Sequence, residues 1–590
     1  MAPTSVSPAL LEALNILKPD VTAPGKVAHD TLVRILHENK DTVFGREYDF
    51  SSMTPENFKD RLELANYQNF EKYIDRIVMG EENVLSSRTV DYFMTTSGTT
   101  GKSKLIPGGI GNHDVEDSLN FIQEGSHGAT LLLVNTPSVY YDDTDKHRMI
   151  GPFSGIIVRK TVDEALRDPS TWNSVTPPQI HLLQKYDEFC YVAALCALKA
   201  PGLKVMRTTF LPNLLSFFQT MQDHWDDLMH DIRHGSLSIP LEVLAADAMN
   251  DLKAGLKPNP ARAKELEMIF SQGTHDGLIS RLWPQLTFAA CITGGSFKMY
   301  VPRLKAWLGD SVIIFSPFML GSEGFYGLNY SPGVHESLYH PSLMLTYFEF
   351  IEEQEITSLN PKTLGIEELH VGGRYEMVIT NNGLYRYRVG DVIEIKALDI
   401  KMPLFDMCYR LGSVINMVGE KTSEDHLVAV LQKMEEELVL RDEVDERKCE
   451  GSDLKAKEKL SSTLQKETQF IDFTMSVDMA GAAPRYIVYV ELEESASGVC
   501  VRRSTAHTWS SEKFDRLLRL ANDQYGVFRD QGRLLEAQVK IVSAGLLKSL
   551  CDLAIARGTA EVQFKVPRLL TTEVQRNLME GKVLKISDSL

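Results

Sequence analysis

The chain has 590 residues, well above the roughly 100–200 of a single domain, with 43% hydrophobic and 24% charged side chains, as in ordinary globular proteins. Lys and Arg total 62 against 80 Asp and Glu, a formal charge of −18. With no polybasic block, this excludes long-range attraction to nucleic acid or to an anionic membrane surface. Seven scattered cysteines without a CxxC pair argue against a disulfide framework or zinc cluster and read as reduced packing residues. The opening "MAPTSVSPALLEALNILKPD" lacks the apolar run of a signal peptide or membrane span, and the final "SDSL" is not a peroxisomal signal. The expectation is a cytoplasmic monomer with no membrane partner.

In chain order, residues 8–40 carry a helical apolar spacing interrupted by proline. The ten residues "TTSGTTGKSK", 95–104, follow as a hydroxyl-rich loop. Leu131 to Val134 is a compact apolar run ending in Asn and Pro, the pattern of a buried strand that delivers a loop. Residues 184–200 and 212–234 read as two amphipathic helices, and Val312 to Phe315 as another buried strand. "YFEFIE" (347–352) and "YEMVITN" (375–381) are further strands. Strands and helices mixed throughout predict an α/β body over 1–412. Past Leu411–Gly412–Ser413, the charge-rich stretch Arg441 to Lys466 reads as a solvated surface segment. Strand, strand, helix and strand then predict a small α+β domain over 413–590.

The loop at 95–104 ends in Gly101–Lys102–Ser103, as a Walker A motif does. That motif also needs a glycine five residues before the last one, and position 96 is Thr. Short hydroxyls and glycine amides still suit the many acceptor oxygens of a polyphosphate, and lysines supply countercharge. An unliganded surface loop has the same composition. Glu323, in "FMLGSEGFYGLN" after a buried strand, suits Mg²⁺, a hard cation that takes oxygen ligands; a plain surface glutamate reads the same way. Asp391, beside Gly390 in "GLYRYRVGDVIEI", is placed to accept both hydroxyls of a ribose, or else to pair with Arg386 or Arg388.

These segments, with "EKYIDRIVMGE", "HWDDLMHDIRHG", "ITGGSFKMYVP", "PRYIVYVELE" and "VQFKVPRLL" in order, resemble the Gretchen Hagen family of acyl-acid amido synthetases. That family belongs to the adenylate-forming superfamily of acyl-CoA synthetases, peptide-synthetase adenylation domains and luciferases. "GLYRYRVGDV" and "FKVPR" are the specific matches, whereas "SGTTG" marks only the superfamily. The resemblance implies a large N-terminal adenylating domain and a smaller mobile C-terminal one. It implies two steps: ATP and a carboxylic acid give an acyl-adenylate, then an amine, usually an amino acid, displaces AMP. It places Ser97, Gly98, Thr99, Thr100 and Lys102 or Lys104 on the phosphates, and Ser322 and Glu323 at the Mg²⁺–ATP. Asp391 falls on the ribose, Arg410 makes a second nucleotide contact, and Lys565 is brought in by the small domain. Acyl transfer to CoA or a carrier thiol is the alternative within the same chemistry, and nucleotide binding without turnover is a third. Three departures stand out: a phosphate loop one residue shorter than usual, Met319 where an aromatic flanks adenine, and Glu420–Lys421–Thr422 in place of Asp-Lys-Thr. Phe325, Tyr326 and Thr209 are candidates for the acyl pocket.

Overall fold

The apolar run at 131–134 does become a strand of a parallel sheet. The computed structural model describes residues 21–95, 104–108, 129–142, 146–241, 252, 255–273, 277–331, 337–411, 417, 420, 422–424, 426–436, 470–479, 483–492, 500–501, 509–555, 566–570 and 572–586. Two compact units divide between Met407 and Cys408, against the 412/413 division expected from the sequence.

In the first unit, β1 (Tyr92–Thr95) and β2 (Leu105–Gly108) form a hairpin, and β3 (Ala129–Leu133) enters a different sheet. β4 (Tyr140–Tyr141) and β5 (Met149–Gly151) extend the hairpin in the order β2-β1-β5-β4. β3 is joined by β6 (Leu203–Phe210), β7 (Phe288–Ile292) and β8 (Ile313–Phe315), all parallel and in that order. Helices make the crossovers, and Tyr186–Lys199 is buried on nearly every side, as parallel sheets covered by helices require. β9 (Phe318–Gly321), β10 (Gly324–Leu328) and β11 (His340–Pro341) form a small antiparallel sheet. β12 (Tyr347–Glu352), β13 (Arg374–Thr380), β14 (Tyr387–Asp399) and β15 (Met402–Arg410) form a fourth sheet in sequence order. Its inner face packs Phe348, Phe350, Met377, Tyr385 and Ile393 against Leu32, Ile35, Phe70 and Ile74 from helices Pro24–Asn39 and Tyr67–Val78.

The stretch 212–234, expected as one helix, is two: Leu211–Asp223 and Trp225–His234. The helical period runs through the break without interruption. What redirects the chain is tertiary, because Trp225 stacks on Phe270 with ring centroids 3.7 Å apart, and such a contact outweighs the small propensity gain of one more turn. The segments expected helical at residues 8–20 and solvated at 441–466 lie outside the described residues. No helix among the described residues is long and apolar enough to cross a membrane.

His181 closes the β3 end from inside. Its Nδ1 lies 2.6 Å from the Val134 carbonyl and its Nε2 3.1 Å from the Thr176 hydroxyl, with no exposed surface. Nδ1–H therefore donates and Nε2 accepts, which is the neutral ring. Burial pushes the imidazole down to about 4, against about 6.5 unfolded. Between those values the unfolded chain binds the proton and the folded one does not. The contribution is therefore complete above pH 6.5 and declines as pH falls toward 4, by about 3 kcal/mol in all. The urea midpoint should drop between pH 7 and pH 4.5, and His181→Gln should shrink that drop whatever its own stability. An identical drop in both proteins would contradict this.

In the second unit β16 (Phe470–Asp478) pairs antiparallel with β17 (Arg485–Leu492). β18 (Cys500–Val501) follows, then helix Ser511–Ala521, and β19 (Gln538–Val542) pairs parallel with β17. β20 (Lys585–Ile586) pairs with β18. This is the expected small α+β order. Glu420, the departure from Asp, is 1% exposed and accepts from the Tyr486 hydroxyl at 2.7 Å and the Met417 amide at 2.9 Å. The longer side chain serves as an internal tie of this unit.

Candidate functional site

The hydroxyl-rich loop is framed by the last pair of a hairpin, since Thr95 and Leu105 face each other at the ends of β1 and β2. Ser97, Gly98, Thr99, Thr100 and Lys102 lie outside the described residues. Lys104, at the loop's exit, holds its Nζ 5.2 Å from the Tyr67 ring centroid, a cation–π distance. The Tyr67 hydroxyl is 3.3 Å from the Leu105 amide, so helix Tyr67–Val78 fixes the hairpin mouth.

The turn between β9 and β10 comes to this mouth. The Ser322 hydroxyl donates to the Thr95 carbonyl at 3.4 Å, across 227 residues of sequence. Glu323, next in the turn, is 9% exposed and takes a 3.4 Å hydrogen bond from the Tyr326 hydroxyl. Gly321 is required here, because a Cβ would meet that hydroxyl at 2.5 Å. Asn381 holds the turn from the other side: its Nδ2 donates to the Glu323 carbonyl at 2.9 Å, while its Oδ1 accepts from the Gly383 and Leu384 amides at 3.0 and 2.9 Å. Met94, Ile106, Ser322, Glu323, Asn381 and Leu384 line one small cavity between these elements. Asn381 was not singled out by sequence; the Asn-Asn-Gly turn after a strand was its only signal. Met319 is buried in the core with Phe93, Tyr326 and Tyr339.

Asp391 sits in an irregularity of β14. Glu376 faces Val392 and Val378 faces Arg388, so β14 carries extra residues across this step, and Gly390 takes φ +80°, a conformation that favours glycine. A bulge of this kind re-aims a side chain and is frequent beside active sites. Asp391 is 5% exposed. The two arginines expected as its alternative partners hold other carboxylates. Arg386 grips Glu349 in a fork, Nε–Oε2 3.0 Å and Nη2–Oε1 2.8 Å, and Arg388 grips Glu376 with Nε–Oε1 at 3.0 Å. Arg410 closes β15 and is exposed. Lys565 lies outside the described residues. Of the acyl-pocket candidates, Phe325 packs in an apolar cluster with Val205, Phe315 and Phe318, Tyr326 turns to Glu323, and the Thr209 hydroxyl is buried without a hydrogen-bond partner.

The described residues bring one acidic side chain to the mouth of a hairpin on an α/β body, an architecture that by itself does not single out one class of protein. The comparisons with known proteins specify which class. The GH3 family N-terminal domain matches residues 13–313, its central domain 339–410 and its C-terminal domain 454–574. The chain belongs to the GH3, or Gretchen Hagen, family. It is 26% identical to the Arabidopsis thaliana indole-3-acetic acid-amido synthetase GH3.15, over 97% of this chain and 94% of that one. It is 26% identical to the Arabidopsis 4-substituted benzoates-glutamate ligase GH3.12, over 97% and 96%. The Nicotiana attenuata jasmonoyl–L-amino acid synthetase JAR4 is 24% identical over 95% and 93%. The solved GH3.15 acyl acid amido synthetase superposes with a TM-score of 0.79 at 24% identity, covering 99% of this chain and 98% of that one.

Proposed function

We propose that this protein joins a small carboxylic acid to an amine, an amino acid being the expected acceptor, through an acyl-adenylate. The observation that carries the reading is the Ser322–Thr95 hydrogen bond, which ties the Glu323 turn to the base of the hydroxyl-rich loop. A carboxylate is a poor electrophile because its charge and resonance repel a nucleophile. One of its oxygens attacks the α-phosphorus of ATP, and pyrophosphate leaves with the electron pair of the broken P–O bond. The amine lone pair then attacks the acyl carbon, AMP leaves, and the nitrogen loses its proton.

In this reading Ser97, Gly98, Thr99, Thr100, Lys102 and Lys104 surround the phosphates, Asp391 accepts the ribose hydroxyls, and Arg410 adds a nucleotide contact. Among the described residues no three His, Cys, Asp or Glu side chains are grouped for a metal. Mg²⁺ asks for less, since it is commonly held by one or two carboxylates together with substrate phosphates and water. Glu323, with the Ser322 hydroxyl next to it, fits that donor set. Lys565 supplies positive charge where it develops on phosphorus and the reacting carboxylate.

Pyrophosphate release with ATP, Mg²⁺ and a panel of carboxylic acids, trapped with hydroxylamine, tests the first step. Amino acids and CoA added in parallel distinguish an amide from a thioester product. Lys565→Ala should cut acid-dependent pyrophosphate release by roughly 100–1,000-fold with an unchanged melting temperature. Undiminished release would remove the lysine from the mechanism.

A further inference from the structure

The register of the parallel sheet sets Leu132, Arg207, Ala290 and Phe315 side by side, one from each of its four strands. Residues opposite one another in a ladder point to the same face, so this row places a guanidinium between aliphatic, methyl and aromatic groups. Two residues back on that face, Val205 and Phe288 pack with Phe318 and Phe325 of the β9–β10 sheet and with Phe153. Arg207 therefore stands on the face covered by the hairpin that carries Glu323, toward the carboxyl ends of the strands, where open α/β sheets bind ligands.

Arg386 and Arg388 each hold a carboxylate. Among the described residues no hydrogen bond or ion pair reaches the Arg207 guanidinium. It keeps some accessible surface, yet desolvation by the surrounding protein pulls its guanidinium down to about 10. A charge held there is costly until an anion completes it. The strand bulges between Arg207 and Phe210, and in that bulge the buried Thr209 hydroxyl also has no hydrogen-bond partner.

We propose that Arg207 holds a second carboxylate on the acid substrate, so that this chain selects dicarboxylic acids. This rests on the amide-synthetase reading. One carboxylate is activated at the Glu323 end, and the other carboxylate, chemically unchanged, meets the planar fork of Arg207. Guanidinium matches a carboxylate in two parallel hydrogen bonds, and the Thr209 hydroxyl adds a donor.

The test measures pyrophosphate release with hydroxylamine as acceptor, so that no amino-acid carboxylate is present. It uses matched acids: hexanoate against adipate, and phenylacetate against its para-carboxymethyl analogue. The wild type should favour each diacid by at least roughly 10-fold in kcat/KM. Arg207→Met should lower diacid kcat/KM by roughly 30–100-fold, mostly in KM, and raise that of the monoacids. Arg207→Lys, which keeps the charge without the fork, should fall between. A monoacid preference in the wild type, or equal losses for both classes in Arg207→Met, would overturn the proposal. So would an Arg207 effect seen with amino-acid acceptors but not with hydroxylamine. If no acid releases pyrophosphate, the amide-synthetase reading fails. A diacid-specific thermal shift that disappears in Arg207→Met would then still support the site, and its absence would overturn that as well.

Discussion

Asp391→Ala should weaken ATP binding by roughly 30–100-fold with little change in melting temperature. The carboxylate is 5% exposed on a bulge whose Gly390 adopts φ +80°, an arrangement that aims one side chain at the cost of ladder hydrogen bonds. A hydrogen bond to a charged group contributes about 1.5–3 kcal/mol, and about 1.4 kcal/mol is a factor of ten. On the proposed contact of Asp391 with both ribose hydroxyls, the loss therefore falls in the stated range, even allowing for water entering the gap. Calorimetric titration of ATP into the variant measures it directly. The discriminating control is inorganic pyrophosphate, which has no ribose and should bind both proteins alike. Equal ATP affinity in wild type and variant would move the ribose elsewhere.

Glu349→Ala should be the most destabilising single change in the fourth sheet, by about 3–5 kcal/mol, the usual cost of stranding a buried charge. Glu349 is fully buried and Arg386 is 6% exposed. The Thr363 hydroxyl donates to Glu349 at 2.6 Å, and Arg386 also donates to the Lys59 and Leu62 carbonyls at 2.9 and 2.5 Å. Removing the carboxylate leaves a guanidinium that cannot deprotonate and cannot reach water. Adding Arg386→Met should recover part of the loss, because no uncompensated charge remains, and a double-mutant cycle on the urea midpoint reads the coupling. Arg386 has φ +47° and leads directly into β14, whose irregularity between Arg388 and Val392 carries Asp391, so Glu349→Ala should weaken ATP binding too. Additive single and double effects would show that the pair is not a unit.

Much of the architecture was legible because its causes are local. The apolar run at 131–134 and the one at 312–315 specify buried strands within a few residues, and helix 186–199 needs only its own composition. The small-residue turn around Glu323 was visible for the same reason, because its glycines and serine mark a turn wherever they fold. The order strand, strand, helix, strand in the second unit was equally explicit.

Contacts between segments were not legible. Arg386 lies five residues from Asp391 in sequence, and a pairing between them was a fair expectation, yet the antiparallel sheet brings Glu349 to Arg386 and Glu376 to Arg388. The break at His224 is invisible in the helical period and comes from Trp225 stacking on Phe270. Asn381 gains its task only when the β13–β14 turn meets Glu323. Sequence by itself determined which segments are strand or helix, since backbone preference and burial pattern act within about ten residues. Tertiary structure alone decided which charges meet, because strand order and register set those distances, and neither is written in any one segment.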